Sequence, residues 1–160
     1  MAHRHESLVP LSRDHYHGLL LAQQIKTTER IMMAGWPSAP VQQAAFVRAF
    51  FAEHLERHFT DEEQSLFPMV VKHIPSASAQ VDELLQDHRA MEKFARSFEH
   101  PDPHRAPALL AEFGDLLERH IRREERELFP LFEAQAPPDV LQRVGHLLHR
   151  PDSSQSPPTS

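Results

Sequence analysis

A polar block recurs in this chain inside a matching apolar frame, and few folds can satisfy both copies at once. The first copy is Glu56-Arg57-His58, Glu62-Glu63, Leu66-Phe67-Pro68, and the second is Glu118-Arg119-His120, Glu124-Glu125, Leu128-Phe129-Pro130. His58 and His120, Glu62 and Glu124, Leu66 and Leu128, Phe51 and Phe113, and Leu55 and Leu117 all stand 62 positions apart. Four residues make little more than one helical turn. Each His therefore shares a face with the Glu that follows it, their Cβ atoms roughly 6 Å apart. At that spacing an imidazole nitrogen and a carboxylate can hold one metal ion, or the carboxylate can reach a second. A single His-x-x-x-Glu is also an ordinary polar pair on a solvated helix. Its repetition within one apolar frame separates it from that background.

Composition removes several function classes. A chain of 160 residues with 40% hydrophobic and 25% charged side chains suits one soluble, globular domain. The net charge of −6, with no long basic run, argues against a nucleic-acid partner. Cysteine is absent, which excludes disulfides, iron–sulfur ligation and thiol chemistry within these residues. Met1 to Asp14 lacks an apolar secretory core, and no apolar run approaches the ~20 residues that span a bilayer. No membrane partner and a cytoplasmic location are expected. Histidine is the outlier, at 13 residues.

Helical periodicity runs through the chain, and no stretch alternates long enough for a strand. Residues 1 to 11 read as a mostly extended opening. Ser12 then caps a first helix reaching about Ala34, with His15 on its buried face and His17 turned outward. A second helix is predicted from about Ala39 to Phe67 or beyond, bent or ended at Pro68. A third spans about Ser78 to Phe98 with His88 mid-stripe, and a fourth about Ala106 to Phe132. A short helix after Pro137-Pro138 closes the pattern. Long helices on short connections imply an all-α, antiparallel up-down four-helix bundle with a short C-terminal fifth helix. Residues 1–150 form this domain, and residues 151–160, rich in Pro, Ser and Thr, read as a disordered tail. Asp14-His15 recurs as Asp87-His88, so the bundle reads as a duplicated hairpin.

Each long helix thus puts one His in its inner stripe: His15, His58, His88 and His120. Burying a polar ring without a partner costs of order 1–3 kcal/mol, and two anionic carboxylates, Glu62 and Glu124, make an empty interior worse. A pair of divalent metal ions supplies the missing positive charge. Imidazole with carboxylate and no thiolate suits iron, without ruling out manganese or zinc in vitro. Two bridging carboxylates and two His per ion, with an oxo or hydroxo bridge, leave one coordination position open on each ion. Neither a ferritin-type Glu-x-x-His nor a His-Glu-x-x-His hydrolase motif occurs.

The doubled His-x-x-x-Glu-Glu-x-x-Leu-Phe-Pro, with one His in the first helix and one in the third, resembles the hemerythrin-like, or HHE cation-binding, domain family. The resemblance runs from about Leu11 to Phe132. It implies a non-haem di-iron centre in a four-helix bundle, two Fe ions bridged by Glu62 and Glu124. His15, His58, Glu62, His88, His120 and Glu124 match the family's ligands. Oxygen-carrying hemerythrins have a fifth His where Glu92 stands here, and an Asp five residues after the fourth-helix His where Glu125 stands. Glu124 is preferred as the bridge because Glu62 is its counterpart, with Glu125 the alternative. Otherwise Glu63 and Glu125 read as outward-facing surface charge. His54, Glu92 and Glu125 are the candidates for extra ligands or outer supports, His54 leaning to support. The missing fifth His resembles a bacterial branch that binds or reacts with O2, NO or peroxide in sensing, scavenging or protection. A small di-iron oxidase or peroxidase, or an iron-donating repair factor, is the alternative, and no protein partner can be named.

Overall fold

The structure is a computed structural model that describes residues 3–27 and 29–149, so the tail expected after Arg150 lies outside the described residues. Five helices account for nearly all of it, with no strand among the described residues. Helix α1 is Val9–Lys26, preceded by a 3₁₀ turn at Glu6–Leu8. The opening is therefore not extended. The His5 ring accepts a hydrogen bond from the Ser7 amide at 3.2 Å, and Pro10 sits in the first turn of α1, where its missing N–H costs nothing. Ser12 lies inside the helix and caps nothing. Its hydroxyl donates instead to Glu125 Oε1 at 2.7 Å.

Helix α1 also ends eight residues short of the predicted Ala34. Gln24, fully buried, turns its amide onto the backbone that follows. Its Nε2 donates to the Arg30 carbonyl at 3.0 Å, and its Oε1 accepts from the Met33 amide at 2.9 Å. That side chain supplies the partners a continued helix would have provided, and so holds an irregular connection against the bundle.

Helix α2 spans residues 40–73 and α4 residues 106–135, with α3, Ser78–Ser97, between them and α5, Pro138–Leu148, last. Pro68 and Pro130 neither end nor break their helices. Each follows a widened turn, Glu62–Leu66 and Glu124–Leu128, in which the amides of Phe67 and Phe129 reach five residues back to the carbonyls of Glu62 and Glu124. The looser turn absorbs the proline ring, which would clash with the carbonyl four residues before it. A third widened turn, Phe51–Leu55, precedes His58.

The interior has two apolar clusters. One gathers Leu11, Leu66, Leu84 and Leu128 with α5, and the other gathers Leu21, Leu55, Met91 and Leu117. On all four long helices the predicted polar residues fall between them in sequence. The order alternates: α1 and α3 run from the first cluster to the second, α2 and α4 from the second to the first. Helix α1 lies closest to α4. A Cβ on Gly18 would stand 2.7 Å from Ile121 Cδ1, and one on Gly114 would stand 3.2 Å from Ile25 Cγ2. Glycine on each helix thus sets how near the two backbones pass. Among the described residues no helix is long and apolar enough to cross a membrane.

Candidate metal centre

Between the two apolar clusters lie six ionisable side chains with almost no access to water. His15 and His58 are 2% exposed, and Glu62, His88, His120 and Glu124 are 0% exposed. Two groups of four could each hold a metal ion: His15, His58, Glu62 and Glu124, and Glu62, His88, His120 and Glu124. Within each group the ligand atoms all lie within 4.8 Å of one another. The carboxylates are shared, one oxygen to each side. Glu62 turns Oε1 to His58 Nε2 at 3.0 Å and Oε2 to His88 Nε2 at 3.1 Å. Glu124 turns Oε2 to His15 Nε2 at 2.9 Å and Oε1 to His120 Nε2 at 3.4 Å.

These groups approach one another without satisfying one another. The Nε2 atoms of His15 and His58 and all four oxygens of Glu62 and Glu124 are buried without a hydrogen-bond partner. The Nε2 atoms of His88 and His120 face each other at 3.2 Å. Orphaned acceptors and imidazole lone pairs converging on two points are what a pair of cations would satisfy. The residues fit the metal pair that the repeated block implies.

The proton balance carries the same message. Burial pushes the rings of His15, His58 and His88 toward their neutral forms, yet the carboxylates outweigh it. Glu62 and Asp14 raise His58 to about 9, and Glu124, Glu125 and Glu62 raise His15 well above its usual range. His88 is raised as well, again against burial, chiefly by Glu62. Burial pushes Glu62 up, but His58, His15 and His88 hold it well below the ordinary carboxylate range. The cluster demands positive charge, and without metal only protons on the rings can provide it.

The second nitrogen of every ring is also claimed. His58 Nδ1 meets Asp14 at 3.0 Å, and His120 Nδ1 meets Asp87 at 3.2 Å. His88 Nδ1 meets Glu63 at 2.9 Å, and His15 Nδ1 meets Glu125 at 2.6 Å. A carboxylate on Nδ1 holds the tautomer that presents a lone pair on Nε2 and fixes the ring plane. The wiring follows the duplication. Each Asp steadies the second ring of its own hairpin, and each Glu steadies the first ring of the other. Aromatic rings close the remaining sides, Phe59 stacked on His88 at 3.9 Å and Phe129 on His15 at 5.3 Å.

The six predicted core residues thus come together, but the outer candidates divide. Glu125 and Glu63 are not surface charges; their rings and partners draw them inward to 25% and 24% exposure. Burial pushes the Glu125 carboxyl up, but His15, Ser12 and Arg4 bring it down to about 2. His54 is corrected: it is 57% exposed, its ring against Phe50 and its Nε2 toward Glu53. His54 stands near the end of the widened turn at Phe51–Leu55 and faces out of the cluster. Glu92, half-buried, pairs with Arg89 at 2.7 Å and belongs to neither group of four. Asp14, Asp87 and Glu63 were legible only as neighbours of the repeated residues, in Asp-His and Glu-Glu pairs.

The family model described as hemerythrin HHE cation binding domain matches residues 10–132. No protein of curated function matches the chain, and no solved structure matches it either.

Proposed function

This chain belongs to the hemerythrin HHE cation-binding domain family, and we propose that its buried cluster holds two iron ions and reacts with O2, NO or peroxide. The observation that carries this reading is the set of orphaned Nε2 and carboxylate atoms, which converge on two points inside a dry interior. His15 and His58 would hold one ion and His88 and His120 the other, with Glu62 and Glu124 shared between the two groups. When bound, a redox-active pair would supply electron transfer to a small diatomic or peroxide ligand. The chain supplies the rest. Asp14, Glu125, Glu63 and Asp87 orient the four rings, while Phe59, Phe67 and Phe129 keep water from their faces. In this reading the four long helices run up-down and antiparallel, as the alternating order of the two apolar clusters along them supports. The role is sensing, scavenging or protection in the cytoplasm, on a domain covering residues 1–150.

Anomalous scattering at the iron edge from crystals of the purified protein tests the assignment. Two sites per chain, flanked by the named residues, are expected. Iron absent after loading, or bound elsewhere, overturns it. With two irons found, repeated peroxide consumption under excess reductant assigns an enzyme, and one equivalent per centre a sensor.

A further inference from the structure

His15 is supported from outside the four long helices, and the geometry points to Arg4 as the positioning residue that locks its corner of the cluster. The segment carrying Arg4 acts as a strap that sets how fast the ion held by His15, His58, Glu62 and Glu124 leaves. This inference rests on the metal reading above and adds Arg4 to it. Arg4 lies outside the stretch 10–132 that matches the family.

Two side chains brace the His15 ring: Glu125 on Nδ1 at 2.6 Å, and Phe129 stacked at 5.3 Å with 14° between planes. Arg4 holds both. One guanidinium nitrogen donates to Glu125 Oε2 at 2.6 Å and to the Glu125 carbonyl at 3.0 Å. The other pairs with Glu133, and the cation lies over the Phe129 ring, 5.1 Å from its centre. The segment is fastened again three residues on. Ser7 is buried beneath α5, close enough that a Cβ on Gly145 would stand 3.2 Å from the Ser7 Cβ.

The duplicated corner lacks this device. Its Glu63 is met by Arg89, which stands on α3 itself and is 57% exposed, whereas Arg4 is 21% exposed. A planar, largely desolvated fork on two carboxylates and a ring face is a site a lysine cannot reproduce. Without Arg4, Glu125 has a shell of water in place of its cation. His15 then keeps only Phe129 and a Glu125 held by the Ser12 hydroxyl alone, so its corner loosens, whereas His88 is unaffected.

The test uses the full chain loaded with iron. Metal content is measured first, and release into excess chelator is then followed by absorbance. Arg4→Ala is expected to lose one of two equivalents roughly 10- to 100-fold faster than the parent, the second leaving at close to the parental rate. Arg4→Lys should fall between, and Arg89→Ala, the mirrored control, should release both equivalents as the parent does. Unchanged release from Arg4→Ala overturns the inference. So does loss of both equivalents together at a lowered melting temperature, which marks a structural role alone. If Arg4→Ala does not fold, Glu133→Gln removes one anchor of the guanidinium and decides by the same comparison. A parent chain that takes up no iron overturns the metal reading itself, before any variant is compared.

Discussion

Stripped of metal by a chelator, this protein must balance its buried carboxylates with protons, and that sets the sign of its stability against pH. His58 gives the magnitude. Burial works against its charged form, but Glu62 and Asp14 outweigh burial and raise the ring to about 9. An imidazole in the unfolded chain titrates near 6.5. A raised group stabilises the fold through its protonated form. That contribution is complete below about pH 6.5 and disappears as pH climbs through about 9. The displacement is worth roughly 3 kcal/mol from this ring. His15 and His88 move in the same direction, and all three share Glu62, so the effects do not simply add. Urea unfolding of metal-free protein at pH 6, 7.5 and 9 reads it. With a slope near ~2 kcal/mol/M, the midpoint should fall by about 1–2 M between the ends. Iron-loaded protein should gain from metal increasingly over the same range, since ligands bind unprotonated. A metal-free midpoint that is flat or rises from pH 6 to 9 refutes the account of the cluster's charge.

Asp87→Asn leaves His120 without its anionic partner and should weaken metal retention ~10- to 100-fold. Chelator competition at unchanged helix content measures it, and parental affinity would count against the role given to the outer carboxylates. Phe113→Ala empties a fully buried ring position and should cost about 3–5 kcal/mol in urea unfolding, so a loss below about 1 kcal/mol would contradict the packing described. Gly18→Val drives a methine into Ile121, which an added Cβ would meet at 2.7 Å, and should cost about 1–3 kcal/mol. Adding Ile121→Val should recover part of that loss, and a strictly additive double variant would show that the two residues do not meet.

The four long helices and their inner stripes could be read because apolar spacing and the doubled block report the same periodicity. The six central side chains followed from those stripes, since a His or Glu on the face that carries Leu55, Leu66, Leu117 and Leu128 has nowhere else to point. What resisted reading was whatever depends on one side chain meeting distant backbone or another helix. The early end of α1 is decided by Gln24 capturing Arg30 and Met33, and nothing in the local pattern marks it. A His one turn before a ligand shares its face on a uniform 3.6-residue count, yet His54 is exposed, and nothing in the local pattern marks it as outside. Pro68 and Pro130 were visible, but their effect was to loosen a turn rather than stop a helix. The carboxylates behind the rings come from other helices, so their adjacency to His15, Glu62, His88 and Glu124 in the chain concealed whom they serve.

That cross-wiring bears on how divisible the molecule is. A fragment ending near Ile74 owns two rings, one shared carboxylate and an aspartate for its second ring, but the brace for its first ring sits in the other fragment. The converse holds for the C-terminal portion. Neither piece is self-sufficient, and each carries what its complement is missing. Cut between Ile74 and Ala77, the two halves would have to meet through the rings and carboxylates at the middle as well as through their apolar faces.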